Sequence, residues 1–195
     1  MTTTREAFLA KIRAAQPAGR PLPDVPLFDT PPGDRMERFR TALATMGGTI
    51  VEGESFDTVR TLLAERFGAD AIIASAVPGI DGNRALSPGM SPALLQDVDA
   101  GVVRARFGVA ETGSVWFSED EYIVNSIGYL VQHLIVLLDP ASIVDGLQDV
   151  YRQDDFKNAR YAVLVTGPSA TADIEGVLIR GAQGVRSLTV VLLGA

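Results

Sequence analysis

Two short segments of the chain concentrate residue types that do chemistry. In the first, Glu111, Thr112, Gly113 and Ser114 make a polar break between apolar stretches at 101–109 and 114–117. Glycine permits a tight turn, and the N–H groups of such a turn, with two hydroxyls beside them, can hold an anion or a polar substrate. The Glu111 carboxylate can act as a base, a nucleophile or an acceptor for a ligand hydroxyl, so it is the candidate catalytic group. The same four residues equally suit an ordinary hairpin turn with solvated side chains.

The second segment, residues 166–176, follows the apolar stretch 161–165 and reads as the opening of a helix over 169–180. Thr166, Gly167, Ser169 and Thr171 then lie where a helix start presents unpaired N–H groups, an arrangement that favours phosphate or carboxylate. Asp173 and Glu175 either complement the helix dipole or contact a ligand hydroxyl or a partner. Ser169 or Thr171 as a plain N-cap needs no ligand. Both segments follow apolar strands, and ligands of open parallel sheets collect beyond strand carboxyl ends, so the two loops are expected to border one hollow.

The elements that must position these loops follow from periodicity. Phe8, Leu9 and Ile12 share one face of an opening helix, with Thr3 and Glu6 at capping-box spacing. Six prolines in the seventeen residues 16–32 forbid any regular element there. Residues 1–32 therefore read as a helix and proline-rich linker that packs on the body or on a partner, and 33–195 as one α/β domain. Phe39, Leu43 and Met46 mark a helix ended by Gly47 and Gly48, with a strand at 49–51. Val59, Leu62, Leu63 and Phe67 mark another, stopped by Gly68, before a strand at 71–75. Ser91 and Pro92 open a short helix. Further strands are expected at 101–109, 114–117, 133–138, 161–165 and 188–193, with a helix from Asp139-Pro140 to Val150. Continuous apolar strands between amphipathic helices predict a three-layer α/β/α fold with a mostly parallel sheet.

Composition narrows the chemistry. At 195 residues and 47% hydrophobic, the chain suits one well-buried core. Its formal net charge of −7 and the lack of any basic run argue against a nucleic-acid partner, while still allowing a small anion. There is no cysteine and a single histidine, His133, so neither an iron–sulfur cluster nor a zinc site is expected in this chain. No nucleotide fingerprint is present. The opening residues are polar and charged, unlike a secretory signal, and the longest apolar run, 134–138, is far too short for a membrane span. A cytoplasmic protein is the expectation.

Several residues read as structural. No neighbouring serine or aspartate in sequence gives His133 a triad. Trp116 and Phe117 suit sheet packing. Arg104 and Arg106 suit a solvated or ion-paired face rather than an anion clamp, and Glu119, Asp120 and Glu121 a solvated charge run in a loop.

The motifs Ala110-Glu111-Thr112-Gly113-Ser114 and Thr166-Gly167-Pro168-Ser169-Ala170-Thr171-Ala172-Asp173-Ile174-Glu175-Gly176 resemble the two hallmark motifs of the lactate-utilisation (LUD) domain, and the chain's size resembles that of the lactate utilisation protein C family. The resemblance covers residues 33–195. It implies a fold like the sugar-phosphate isomerases and CoA transferases, and a role in a multi-subunit bacterial system oxidising L-lactate to pyruvate. Iron–sulfur clusters would then sit on partner subunits alone. Relatives commonly carry Gly-Val-His-Gly-Pro where this chain has Gly181-Ala182-Gln183-Gly184-Val185. Gln183 keeps hydrogen bonds but cannot shuttle a proton near neutral pH. Three functions remain open: a cluster-free subunit binding a small anion between the two loops, a stand-alone isomerase- or CoA-transferase-like enzyme using Glu111, and a non-catalytic adapter docking through its N-terminal arm. A homo-oligomer is compatible with each.

Overall fold

A computed structural model describes residues 4–17, 19, 21, 23–28, 31–172 and 178–194. Helix α1 (Thr4–Ala14) buries none of its residues; Phe8 and Ile12 are exposed, so the expected packing of this helix on the body is not observed. Thr3 of the expected capping box lies outside the described residues. Helix α2 (Arg35–Thr45) starts at Asp34, whose Oδ1 accepts from Glu37 N at 3.0 Å, and stops at Gly47, where φ is +85°. After β1 (Thr49–Glu52), Ser55 caps α3 (Phe56–Phe67), which ends at Gly68 as its sequence predicts. Strand β2 (Ile73–Ser75) and a single 3-10 turn (Pro92–Leu95) lead into β3 (Ala100–Arg104).

The second half runs β4 (Phe107–Val109), β5 (Ser114–Ser118), α4 (Glu119–Tyr122), α5 (Ile127–Leu130) and β6 (His133–Leu138). Then follow β7 (Ile143–Val144), α6 (Leu147–Arg152), α7 (Asp154–Asn158), β8 (Ala162–Val165), β9 (Ala170–Ala172), β10 (Leu178–Arg180) and β11 (Ser187–Leu192).

Five strands make one parallel sheet in the order β1-β11-β6-β3-β2. It is buried on both faces, which is why its inner strands are almost wholly apolar. Leu134, Val136 and Leu138 of β6 face Phe39 and Leu43 of α2, while Ile135 and Leu137 face Val59 and Leu63 of α3. This is the α/β architecture the periodicity predicts, with helices on either side of the sheet.

A second sheet, β7-β4-β5-β8, stands against the α2 side. Val115 and Phe117 of β5 join the main core, and Trp116, stacked on Phe107 at 5.1 Å, joins a smaller cluster with Val109 and Val150. This sheet accounts for two departures from the sequence reading. The segment 101–109 is not one strand: Ala105 N still donates to Leu137 O of the parallel sheet, whereas Arg106 N donates to Trp116 O of the second. The helix expected from Asp139 to Val150 is a 3-10 turn (Pro140–Ser142), then β7, then α6. The edge of β4 offers β-branched Ile143 and Val144 a partner, and the Asp145-Gly146 break resets the chain before α6.

Nor do the described residues of the expected helix over 169–180 form one. They form the antiparallel pair β9–β10. Thr171 and Ile179, both β-branched, sit opposite one another in this pair, where such residues fit well. Residues 119–121 are not a solvated loop. They open α4 with Ser118 as cap, and the side chain of Glu121, only 10% exposed, pairs with Arg106 at 2.5 Å.

Candidate functional site

The first motif is the turn of the β4–β5 hairpin, one of the two forms its sequence allows. Gly113 N closes the turn on Val109 O at 2.9 Å, with φ of +68°. A Cβ at Gly113 would lie 2.7 Å from the Ala42 carbonyl carbon and nearer still to the Leu43 backbone, so only glycine lets this turn rest on α2. Glu111 points away from that contact. Its N–H donates to Asp145 O at 3.0 Å, and its Oε2 accepts from Leu147 N at 2.9 Å, the first residue of α6. The carboxylate therefore satisfies an otherwise open helix-start donor.

Thr112 and Ser114 turn toward the second motif. Their hydroxyls lie 2.7 Å apart, and Ser114, 3% exposed, is hydrogen-bonded through Oγ to Thr166 Oγ1. The sheet makes this meeting possible. β5 runs antiparallel to both β4 and β8, so the ends of β4 and β8 reach the same rim, with Val115 opposite Val165. Gly167, at φ +65°, rests on Met46 at the end of α2, where a Cβ would come within 3.0 Å of the carbonyl carbon. One helix thus supports a glycine of each motif.

Beyond Thr166 the chain is not a helix start, and the expected row of free N–H donors is not there. Ser169 N donates to Val185 O at 2.9 Å, and Ser169 O accepts from Gly181 N at 2.7 Å. Thr166, Gly167, Ser169 and Gln183 instead border a hollow of about 410 Å3, closed by Tyr129 and Gly184. Gly184 comes close to the Ser169 side chain, a Cβ there falling 2.8 Å from that of Ser169. Thr171 is exposed on β9 away from this hollow, and Asp173 and Glu175 lie outside the described residues. Tyr129 carries no sequence signal; α5 brings it in.

Glu111 borders different hollows. One of about 180 Å3 is shared with Leu27 and Phe28 of the linker and with Asp149. The other, about 410 Å3, is shared with Arg38, Thr41 and Ala110. Arg35 holds Asp145 through two hydrogen bonds, at 2.7 and 3.1 Å, and Arg38 bonds the same carboxylate. The Arg35 hydrogen bonds, joined by that of Arg38, hold the Asp145 carboxyl below the ordinary aspartate range despite some burial. Nε and Nη1 of Arg38 are buried with no partner among the described residues. The candidate residues thus fall into two groups, Glu111 on one side and Thr166, Gly167, Ser169 and Gln183 on the other; the two loops touch at the Ser114–Thr166 contact but do not border one hollow as expected, each lining its own.

The family model for the LUD domain matches residues 93–193, just over half of the chain and inclusive of both motif loops. The chain belongs to the LUD domain family. A DUF162 family protein from Deinococcus radiodurans, known from its crystal structure, shares the fold with a TM-score of 0.64 at 18% identity. The match covers 84% of this chain and 100% of that one. No curated protein matches the chain. The segment matched as a LUD domain does not make the parallel sheet by itself: β1 and β2 precede it, yet β1 pairs with β11 and β2 with β3.

Outside the motifs, Arg104 and Arg106 part company. Arg106 pairs with Glu121 and Asp155, and the Arg104 guanidinium lies 5.6 Å from the centre of the Phe56 ring. His133 does meet a serine: its Nδ1 is 2.7 Å from Ser187 Oγ, a neighbour fifty-four residues away that sequence proximity could not reveal. Among the described residues no helix is long and apolar enough to cross a membrane.

Proposed function

We propose that this LUD-domain protein is a subunit of a bacterial L-lactate utilisation system, free of iron–sulfur clusters itself, that binds a small anion in the hollow beside its second motif loop. The observation that supports the reading is the Ser114–Thr166 hydrogen bond, which ties the two family motifs together beside a hollow edged by Thr166, Ser169 and Gln183. Hydroxyl and amide groups there suit the carboxylate and oxygen substituent of lactate or pyruvate, both monoanions at neutral pH. With no thiolate in the sequence, electrons would pass to iron–sulfur proteins of the same cytoplasmic system, and this chain would hold the ligand.

Titration calorimetry of the purified chain with L-lactate and pyruvate tests the reading. One of the two should bind saturably, and Ser169→Ala or Gln183→Leu should weaken it by roughly tenfold, the loss of one hydrogen bond to a charged group. Absence of binding to both, or variants that bind as tightly as the parent, would sink it.

A second reading is favoured by the hollow that Glu111 shares with Arg38. In a stand-alone enzyme of the isomerase or CoA-transferase class, Arg38 would hold a substrate anion and Glu111 would act as base or nucleophile. Glu111→Gln should then abolish turnover while leaving the fold and substrate affinity nearly unchanged. An active variant removes this reading.

A further inference from the structure

The N-terminal edge of the parallel sheet carries a polar cluster that neither motif touches. At the end of α3, Arg66 donates from Nη2 to Ser187 Oγ at 2.8 Å and from Nη1 to Thr189 Oγ1 at 2.9 Å. Thr189 Oγ1 is 3.0 Å from Thr49 Oγ1 on β1, and Ser187 Oγ is 2.7 Å from His133 Nδ1 on β6. Three neighbouring strands and one helix end thus converge on one network. Phe67 backs it, its ring 5.2 Å from His133 and beneath the Arg66 guanidinium. Arg186, next to Ser187 in the chain, lies close enough to disfavour charge on His133. Arg180 rests against Gly47 at the same edge.

Like Arg104, which lies over the Phe56 ring, the arginines here have no carboxylate partner among the described residues. Elsewhere on the body Arg35, Arg38, Arg84 and Arg106 each meet a carboxylate. Arg66, Arg180 and Arg186 meet none among the described residues, and Arg66 is matched only to neutral hydroxyls. The acid that favours charge on His133 is Asp99, whose Oδ2 is already bonded to Ile72 N at 2.8 Å. Arg66 and Arg186 both act on His133, and an oxyanion beside them would be drawn by both.

We infer that Arg66, Arg186, His133 and Ser187 form a binding site for a phosphate-class oxyanion, separate from the motif hollow and independent of the lactate reading. The hydrogen bonds define how it works. Ser187 Oγ accepts from Arg66, so its own proton points to His133 Nδ1, which accepts as the neutral imidazole. When His133 takes up a proton, Nδ1 becomes a donor to Ser187 Oγ, and the serine O–H is released to point at a bound oxygen. Binding of the anion and uptake of one proton by His133 therefore favour each other. A phosphate, with more acceptor oxygens and more charge than a carboxylate, uses the two guanidinium groups and the hydroxyl together.

His133 is the only histidine in the chain, so its ring resonances report the site without ambiguity. Burial, then Arg66 and Arg186, hold its pKa below the ordinary histidine value, with Asp99 opposing. An NMR pH titration of the full chain is run in chloride, then with millimolar inorganic phosphate, then with acetate at matched ionic strength. Phosphate should raise the His133 pKa by about one unit, saturably, as expected when a full opposite charge arrives within a few ångströms. Arg66→Gln should remove the phosphate-induced rise. Arg186→Gln, an exposed substitution that leaves the Arg66 hydrogen bonds in place, should reduce it and serves if the first variant folds poorly. An unchanged curve in phosphate, or a rise in acetate equal to that in phosphate, would overturn the assignment.

Discussion

At the scale of single residues, the acids explain more than their sequence positions suggest. Glu119 looks like one member of a solvated run, yet it accepts hydrogen bonds from backbone N–H groups: its own, that of Tyr161 and that of Arg160. These hold its carboxyl down to about 2 from an ordinary 4.5. The folded chain therefore releases this proton more readily than the unfolded one, so the stabilisation is complete above the unfolded value. It is lost as pH falls from about 4.5 toward 2. Urea midpoints measured at successive pH values across that window should fall for the parent and fall less steeply for Glu119→Gln. Parallel curves would contradict the assignment. Glu121, by contrast, is pushed up by burial but pulled further down by hydrogen bonds from Ser118 and Arg106. Neither distinction is visible in the bare triplet Glu119-Asp120-Glu121, because the partners come from the end of β5, from Arg106 just ahead of β4 and from the two residues ahead of β8.

At the scale of elements, α2 is the piece on which both motifs depend. The β4–β5 turn and the loop after β8 each place a positive-φ glycine directly on its backbone. Gly113→Ala should therefore combine left-handed backbone strain with overpacking against α2, a loss of about 2–4 kcal/mol in equilibrium urea unfolding. A loss under about 0.5 kcal/mol, the scale of an ordinary surface change, would show that the turn is not seated as described. This also explains why glycine-rich signature residues can mark a family without touching a ligand: the backbone approach alone demands them. The short elements carry the weakest signal in the sequence. Two-residue β7 and three-residue β9 and β10 hold only because an adjacent strand completes their hydrogen bonds, and no local propensity signals such a partner.

At the scale of the whole molecule, the body closes without the N-terminal helix. Helix α1 buries no residue and exposes Phe8 at 60% and Ile12 at 43%. Removing residues 1–15 should leave the urea midpoint nearly where it was, within about 0.5 kcal/mol, since no described residue of α1 is buried. If the arm serves as an adapter, the same truncation should abolish capture of the iron–sulfur partners in its native host while lactate or pyruvate binding persists. A clear fall in stability would instead mean that α1 supports the body. The linker differs from the helix in this respect, since Leu27, Phe28 and Pro31 border the hollow beside Glu111.

The order of the long elements was legible in the amino acids because it follows from patterns that are local. Apolar runs such as 134–138 are buried strands, 3.6-residue stripes with Asp34 or Ser55 ahead and glycine behind are helices, and the lack of cysteine excludes thiolate chemistry in this chain. Tertiary structure decided what depends on distant partners. It turned a predicted helix into the β9–β10 pair, gave the Glu111 carboxylate to the start of α6, and joined Ser114 to Thr166 across fifty-two residues. It also set His133 beside Ser187 and Arg66. Backbone N–H and hydroxyl groups must find partners once buried, and which partner lies within reach is a property of the folded chain rather than of its spacing.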